Sequence, residues 1–370
     1  MTEAVRARRI LPMTPDCPEI ADAGLLIRDG RILAVGPWDE IAGHGVERDL
    51  GAVTLVPGLI NAHTHLELSH LARRVTTGQG FMAWADSLFA AMRQGRPDES
   101  ALEQAAWEAR ASGTCCVADV VARDAELVSG ALAGQGLEGL LLREFSGRDR
   151  VFSPPALPGR WSAAIHALYS TEKAFAQTVK DWCLARDLPF SLHLAEVPGE
   201  NELFRSGRGE FADFVRARRI LPKGFQVPGV SATEFARNLG LLDEKTLAVH
   251  CVRVDRRDVE ILAQSGASVC LCPRSNRLIG VGDAPVADLH AARIPLCLGT
   301  DSLASVQNLD LWEEVRAVRR LLARPAPLHD LLAMVTVNPA RALGLEHDYG
   351  SLETGKRAVW AVLPGDLAER

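Results

Sequence analysis

The stretch Val56-Pro57-Gly58-Leu59-Ile60-Asn61-Ala62-His63-Thr64-His65 runs from apolar sequence into two histidines separated by a single residue. On a β-strand this spacing places both imidazoles on the same face, a few ångströms apart. Two imidazoles at the end of a buried strand can bind one divalent metal ion together. The stretch therefore predicts a first core strand that ends in two metal ligands, His63 and His65.

Other apolar runs end in similar residues. His193 closes one run and is followed by Glu196, His250 closes another, and Asp301 follows a third. Eight runs in all have the length and composition of buried strands, and they cover residues 54–62, 114–121, 137–144, 162–169, 188–194, 246–252, 267–273 and 295–300. Helical sequence lies between them, so the pattern predicts a (β/α)8 TIM barrel whose site lies at the carboxyl ends of the strands.

Helix boundaries are indicated at three places between these runs. We expect a capping box at Ser100 and Glu103, a helix capped by Asp255 that ends at Gly266, and a helix opened by Asp283 and Pro285. The segment 197–245 is longer than one crossover requires and is rich in Pro and Gly. It predicts a loop excursion over the barrel mouth.

The two termini differ from the central pattern. Two apolar runs flank Asp29-Gly30 within residues 22–35, which predicts a β-hairpin. Residues 350–370 again look like short strands and turns. We therefore expect a small β-sandwich domain composed of residues 1–54 and 346–370, and a catalytic barrel of residues 55–345.

The composition excludes several functional classes. The chain has 370 residues, a formal net charge of −6 and no run of apolar residues long enough to span a membrane. We expect no nucleic-acid partner, because no basic stripe is present. The basic start MTEAVRARR lacks the apolar region of a signal peptide, and the eight cysteines lack the spacing of secreted domains. These features favour a cytoplasmic protein with reduced thiols, and they are compatible with a homodimer.

The strand-end residues predict one metal centre. Three neutral imidazoles and one carboxylate, from His63, His65, His193 and Asp301, suit Zn²⁺, with Fe²⁺ or Mn²⁺ as alternatives. The alternative interpretation is a set of hydrogen-bonded polar groups in the core. No lysine ends the fourth strand, so a second ion bridged by a modified lysine is not expected.

Glu196 and His250 are candidates for proton transfer. Glu196 lies three residues beyond His193, where the strand has turned, and is expected beside the ion rather than on it. The alternatives are a glutamate that caps a helix and a buried structural histidine. Strand-end positions also make Glu67, Arg143 and His166 candidates for substrate binding, against an equally simple structural role for each.

Several motifs together resemble the amidohydrolase superfamily, on the branch of mononuclear nucleobase and nucleoside deaminases. The resemblance covers nearly the whole chain and is carried by Pro57 to His65, His193-Leu194-Ala195-Glu196, His250-Cys251, Cys272-Pro273-Arg274-Ser275-Asn276, Gly299-Thr300-Asp301 and Thr336-Val337-Asn338-Pro339-Ala340. The continuation from His65 to His70 and the segment Ser206-Gly207-Arg208-Gly209 are most similar to the aminodeoxyfutalosine deaminases of menaquinone biosynthesis.

The resemblance implies a zinc-dependent hydrolytic deaminase whose substrates are a 6-aminopurine nucleoside and water. It implies that Asp301, aided by His250, takes a proton from water and that Glu196 protonates the purine ring. Alternatives are deamination of methylthioadenosine, adenosylhomocysteine or adenosine, hydrolysis of a cyclic amide or a halogenated heteroaromatic ring, and a non-enzymatic relative. A carboxylated substrate would require a cation near the barrel mouth, for which the candidates are Arg73, Arg74, Arg148, Arg150, Arg205 and Arg208.

Overall fold

The computed structural model describes residues 1–16, 19–147, 151–154, 159–322 and 326–368. The strands of these residues are β1 (Thr2–Ile10), β2 (Ile20–Arg28), β3 (Arg31–Pro37), β4 (Val46–Asp49), β5 (Thr54–Pro57), β6 (Leu59–Thr64), β7 (Thr114–Val121), β8 (Glu138–Phe145), β9 (Arg160–Ala167), β10 (Phe190–Leu194), β11 (Thr246–His250), β12 (Ser268–Leu271), β13 (Leu296–Leu298) and β14 (Trp360–Val362).

The helices of the same residues are α1 (Trp38–Ile41), α2 (Phe81–Met92), α3 (Glu99–Ala111), α4 (Ala125–Gly134), α5 (Lys173–Leu184), α6 (Glu200–Ser206), α7 (Glu210–Ala217), α8 (Ala232–Asn238), α9 (Arg256–Ser265), α10 (Pro273–Ile279), α11 (Val286–Ala291), α12 (Leu311–Leu321), α13 (Leu328–Ala333), α14 (Val337–Ala342) and α15 (Gly365–Ala368). A 3₁₀ helix, Leu66–Leu71, follows β6.

The central sheet has eight parallel strands, and β6 to β13 follow one another in chain order. Its two ends meet just beyond the last strand, where the amide of Asp301 donates to the carbonyl of His63 at 3.0 Å. Every residue of β6 and β7 is buried, because helices cover the sheet from outside and side chains fill its interior. The predicted fold class, a (β/α)8 barrel with a small β domain from both termini, is confirmed.

The predicted first strand, 54–62, is wrong in one respect, because it is two strands. β5 belongs to the small sheet, where Val56 pairs with Ala361 of β14, and β6 begins the barrel. The chain crosses between the sheets at Gly58, whose amide donates to Val359 at 3.0 Å. A Cβ on Gly58 would lie 2.7 Å from the sulfur of Cys115, so only glycine fits this crossing. The other seven predicted strands exist, with ends shifted by three residues or fewer.

The small β domain has the strand order β14-β5-β1-β2-β3, and β4 pairs with β1 in the same hydrogen-bonded network. The predicted hairpin is confirmed: β2 and β3 are antiparallel, and Asp29 and Gly30 have φ of 53° and 73°. Such a pair of positive φ values matches the twist of a two-residue hairpin turn. The prediction for the C-terminal segment was incomplete, because helix α15 follows β14 and buries Leu367 in the barrel core.

The three predicted helix boundaries agree with the structure to different degrees. Asp255 caps α9 in a capping box with Asp258, and Gly266 ends that helix in the left-handed conformation, as expected. The prediction for Ser100 was wrong, because Asp98, two residues earlier, accepts from the amide of Ser100 and caps α3. Pro285 immediately precedes α11, as expected, but Asp283 does not cap that helix. The carboxylate of Asp283 instead pairs with Arg277 at 2.7 Å, a partner that its sequence position does not reveal.

The segment 197–245 was predicted as a loop, and this was wrong in part. It contains three short helices, α6, α7 and α8, which bury one face each, whereas residues 218–231 between α7 and α8 are irregular. Phe211 of α7 contacts Tyr169 and Phe81, with ring centroids 5.1 and 6.0 Å apart. Gly207 and Gly209, two of the glycines that suggested a loop, lie at helix ends and have positive φ.

Two further expectations concern thiols and membranes. Seven cysteines in the described part of the chain are buried and free of disulfide bonds. No helix among the described residues combines the length and apolar character of a membrane span.

The barrel closure leads to a stability prediction. A Cβ on Gly299 would lie 2.7 Å from the Cβ and 2.8 Å from the carbonyl oxygen of His63. We therefore expect Gly299→Ala to destabilise the protein by ~1–3 kcal/mol, as overpacking does. Gly134→Ala is the control, because a Cβ there meets no atom within 4 Å. Urea unfolding checks both, and equal midpoints for the two variants would contradict the prediction.

Candidate metal centre and active site

The three histidines predicted as ligands lie together at the carboxyl end of the barrel. His63 lies at the end of the first barrel strand, β6, and His65 follows directly after it; their ring centroids are 4.8 Å apart. His193 on β10 lies on the opposite side, with its ring centroid 5.0 Å from that of His63. The Nε2 atoms of His65 and His193 are 3.4 Å apart. Two imidazole nitrogens at this distance face the same small space.

Asp301 completes the group from the last strand. Its Oδ1 lies 3.9 Å from Nε2 of His65 and 4.0 Å from Nε2 of His63. The loop after β13 brings it there, because its amide is bonded to the first strand. The structure thus places all four predicted ligands at one point of the barrel mouth.

These residues fit a metal ion. His63 is completely buried, and neither of its ring nitrogens has a hydrogen-bond partner among the described residues. Buried polar atoms without partners are rare in native proteins, and a metal ion would supply the missing partner. His193 donates from Nδ1 to the carbonyl of His166 at 2.8 Å, which leaves the Nε2 lone pair directed at the cluster. The nitrogen-rich donor set suits one divalent ion of the zinc type.

Asp301 is held in one orientation by its neighbours. The hydroxyls of Ser275 and Ser305 donate to its Oδ2 at 2.6 and 2.9 Å, and the amide of Ser302 donates to Oδ1 at 2.8 Å. Burial acts to raise the pKa of Asp301, but nearby imidazoles and the Ser275 hydroxyl outweigh it and hold the pKa below its usual range. The carboxylate is therefore ionised and fixed in direction.

His250 and Glu196 face each other beside this cluster. Nε2 of His250 lies 3.7 Å from Oε1 of Glu196, and both side chains are buried. Nδ1 of His250 donates to Oδ1 of Asn276 at 3.0 Å, so in the neutral ring Nε2 is left as the proton acceptor. Burial, and then the charge of Asp301, raises the pKa of Glu196 to about 8. The pKa of His250 is lowered, chiefly by burial.

Glu200 performs the capping role that was the alternative for Glu196. Its carboxylate accepts from the amides of Ala195, Glu196 and Val197 at 3.0, 3.0 and 3.3 Å. These bonds fix the turn that carries Glu196. The carboxylate of Glu196 is thereby directed at His250 instead of at the backbone.

Non-glycine residues at the strand ends have strained backbones. Ala195, His250, Cys251 and Asp301 have φ of 49°, 72°, 47° and 62°. Each such residue costs about 1–3 kcal/mol and persists only where surrounding contacts enforce it. The strain occurs at three of the strand ends that supply the site, which is typical of functional positions.

The three predicted substrate-binding residues have different surroundings in the structure. His166 borders the metal cluster, with its ring centroid 5.1 Å from that of His193. Arg143 donates to the carbonyls of Ala122 and Glu144. The carboxylate of Glu67 accepts from three backbone amides, those of Ala122, Arg123 and Asp124, at 3.0 to 3.3 Å. Substrate binding by these three residues stays a prediction.

Two supporting carboxylates near the site, those of Asp119 and Glu144, were not predicted from the sequence. Asp119 accepts from the hydroxyl of Thr64 at 2.6 Å and from the amide of Leu66 at 2.8 Å, and so holds the segment that carries both first-strand histidines. Oε1 of Glu144 lies 3.8 Å from Nδ1 of His193. The available signal was an acidic residue within an apolar strand, where a charge is costly unless it has a structural or functional partner.

Comparison with known proteins agrees with this geometry. Residues 54–368 match the model of the Amidohydrolase family. The chain belongs to this family and is a hydrolytic enzyme that acts on carbon–nitrogen bonds other than peptide bonds, as predicted.

Particular relatives are deaminases. A 5-methylthioadenosine/S-adenosylhomocysteine deaminase of Moorella thermoacetica is 30% identical in an alignment that covers 92% of this chain and 81% of the relative. An aminofutalosine deaminase of Helicobacter pylori, solved with methylthio-coformycin, has a TM-score of 0.80 at 23% identity and covers 97% of this chain and 91% of its own. A zinc-bound adenosine deaminase of Xanthomonas campestris has a TM-score of 0.80 at 23% identity, over 98% of this chain and 84% of its own.

The metal centre leads to a second prediction. If one ion is held by the four strand-end residues, His63→Ala should strip the metal and reduce activity to background with the fold retained. His347→Ala is the control, because that histidine is 91% exposed at the surface. Metal analysis per chain, with circular dichroism, checks the outcome. A metal-replete, active His63→Ala enzyme, or two tightly held ions per wild-type chain, would refute the assignment.

Proposed function

We propose that the protein is a metal-dependent deaminase of 6-aminopurine nucleosides. The observation that carries this proposal is the pairing of two buried proton-transfer groups, Glu196 and His250, 3.7 Å apart beside a cluster that fits one metal ion. Hydrolytic deamination of a purine requires a strong nucleophile, a proton for the ring and a proton for the departing ammonia. The site contains one group for each proton and a place for the ion.

His63, His65, His193 and Asp301 would hold the ion, most simply Zn²⁺. When bound, such an ion supplies Lewis acidity that lowers the pKa of a water molecule to about 7. Asp301, fixed by its serine partners, then accepts the proton of the attacking water, and Nε2 of His250 shares that proton. Glu196 delivers a proton to the ring nitrogen next to the reacting carbon. Asp301 returns its proton to the leaving nitrogen, and the second proton of the water returns to Glu196 as the carbonyl forms. Water and the amine thus become a carbonyl and ammonia, and both carboxyl groups regain their starting states.

The substrate that we propose is aminodeoxyfutalosine, which would be converted to futalosine in menaquinone biosynthesis. Its carboxylated benzoyl group calls for a cation near the mouth. Of the candidate arginines, Arg205 is already paired with Asp255 at 2.7 Å, whereas Arg73, Arg74 and Arg208 are exposed. Arg148 and Arg150 lie outside the described residues. Arg73, Arg74 and Arg208 are therefore the first arginines to substitute.

A second candidate is deamination of 5-methylthioadenosine and S-adenosylhomocysteine. The Moorella thermoacetica deaminase that bears this name is 30% identical to the chain and matches 92% of it. A triazine hydrolase variant also shares the fold, with a TM-score of 0.78 at 19% identity over 96% of the chain. Release of ammonia from a nucleoside separates deamination from hydrolysis of a cyclic amide or of a carbon–halogen bond.

Glu196 should behave differently from the metal ligands. Glu196→Gln keeps the size of the side chain but cannot cycle a proton, so kcat should fall ~10²–10⁴-fold while the metal content persists. Glu260→Gln, at a glutamate whose side chain is 58% exposed on α9, is the matched control and should leave kcat unchanged. Steady-state kinetics with metal analysis makes the comparison. Normal turnover in Glu196→Gln would remove Glu196 from the mechanism.

Substrate choice is tested by ammonia release across a panel. A bidentate contact between a guanidinium and a carboxylate is worth ~1.5–3 kcal/mol, which favours the carboxylated nucleoside by roughly 10–150-fold. We expect the highest kcat/KM for aminodeoxyfutalosine, lower values for methylthioadenosine, adenosylhomocysteine and adenosine, and negligible values for guanine and cytosine.

The arginine variants refine the same test. The preference should shrink in one of Arg73→Gln, Arg74→Gln or Arg208→Gln and stay unchanged in Arg256→Gln, whose side chain is 94% exposed. A metal-loaded enzyme that prefers guanine, or that ignores every 6-aminopurine, would show that the substrate is wrong.

A further inference from the structure

An ion pair joins α10, the helix that follows β12, to α12. Glu314 on α12 is completely buried, and its Oε1 lies 3.4 Å from Nη1 of Arg274 on α10. Its Oε2 accepts from the backbone amide of Arg274 at 3.2 Å. A buried carboxylate is costly unless it is paired and hydrogen-bonded, so this arrangement fixes the two helices relative to each other.

The carboxylate of Glu314 acts on the first turn of α10. That helix begins at Pro273 after β12, and Cys272 at its N-cap provides no side-chain hydrogen bond. The first amides of a helix have no partner within the helix. Glu314 satisfies one of them from a neighbouring helix, and therefore positions the main chain of the turn as well as one side chain.

The next two residues of this turn hold the proton-transfer groups. Ser275 donates to Oδ2 of Asp301 at 2.6 Å, and Asn276 accepts from Nδ1 of His250 at 3.0 Å. Ser275 and Asn276 are both buried. One helical turn thus sets the direction of two groups from different strands, and Glu314 anchors that turn.

We propose that Glu314 is a positioning residue for the reaction, which acts through the first turn of α10 on Asp301 and His250. This inference rests on the proposed function, because it concerns the two groups that move the proton of water there. Glu314 contacts no metal ligand, so its loss should misalign proton transfer without releasing the ion. Removal of comparable supporting contacts typically lowers activity about 10–100-fold.

The chain contains a matched control for a purely structural role. Lys180 on α5 is also buried, and its Nζ lies 2.5 Å from Asp243 and 2.8 Å from the hydroxyl of Thr246. Thr246 begins β11, and Lys180 lies over the ring of Phe190, which begins β10. This second ion pair therefore lies at the amino ends of the strands, at the opposite end of the barrel from the site.

The experiment compares Glu314→Met with Lys180→Met in the metal-loaded enzyme. Methionine at position 314 keeps a side chain of similar length but removes the acceptor of the Arg274 amide. We expect Glu314→Met to lower kcat ~10–100-fold, with KM and metal content within about twofold of wild type. We expect Lys180→Met to lower the midpoint of thermal unfolding and to keep kcat within about twofold. Unchanged kcat in Glu314→Met, equal losses of kcat in both variants, or a loss that follows metal content would overturn the proposal.

Ser275→Ala tests the link without disturbing the ion pair. It should lower kcat with the metal retained, and the double variant with Glu314→Met should lose less than the product of the two single losses, because both act through one contact. Multiplicative losses would contradict the proposal, and so would wild-type kcat in Ser275→Ala, which can be measured even where Glu314→Met does not fold. An enzyme that hydrolyses a cyclic amide but no nucleoside would refute the proposed function. It would not refute the role of Glu314, because the same kcat values would then be compared on the cyclic amide.

Discussion

The site depends on how the barrel closes. The last strand, β13, is only three residues long, and the sheet is completed beyond it, where the amide of Asp301 donates to the carbonyl of His63. This bond joins the two ends of the sheet and brings the carboxylate of the last strand to the histidines of the first. Gly299 permits the approach, because any side chain there would overlap His63. The hydrogen bond that closes the barrel therefore also brings the predicted metal ligands together.

Burying several polar groups at one point costs desolvation free energy, and hydrogen bonds from the surrounding chain offset this cost. Asp301 has three donors, and Glu200 accepts from three amides at the turn that carries Glu196. Asp119 secures the first strand, and Glu314 secures α10. Because these partners come from different elements, the directions of the reactive groups depend on the whole carboxyl face of the barrel.

The small β domain is joined to the same region through the chain itself. Strand β5 pairs in the small sheet, and after a single glycine the chain enters the barrel as β6, which carries His63 and leads directly into His65. The pairing of Val56 with Ala361 ties the C-terminal segment to this crossing. Both termini therefore brace the strand on which the first two ligands lie.

The sequence alone determined the elements that depend on local pattern. Apolar runs predicted the eight barrel strands, the pair Asp29-Gly30 predicted the hairpin, and Asp255 predicted a helix start, because burial period, turn conformation and capping are set by neighbouring residues. The spacing of His63 and His65 likewise placed two imidazoles on one face. The expectation that the strand-end residues meet then followed from the rule that the carboxyl ends of barrel strands form one surface.

Only the tertiary structure decided which polar residues serve the reactive groups and which serve the backbone. Glu67, expected at the substrate, is bound by three amides of another loop, and capping at the Glu196 turn falls to Glu200. The split of the first strand at Gly58 and the contact of Glu314 with α10 also join segments that are distant in the chain. Such pairings depend on long-range packing, in which partners are selected by proximity in space, and no local pattern encodes that proximity.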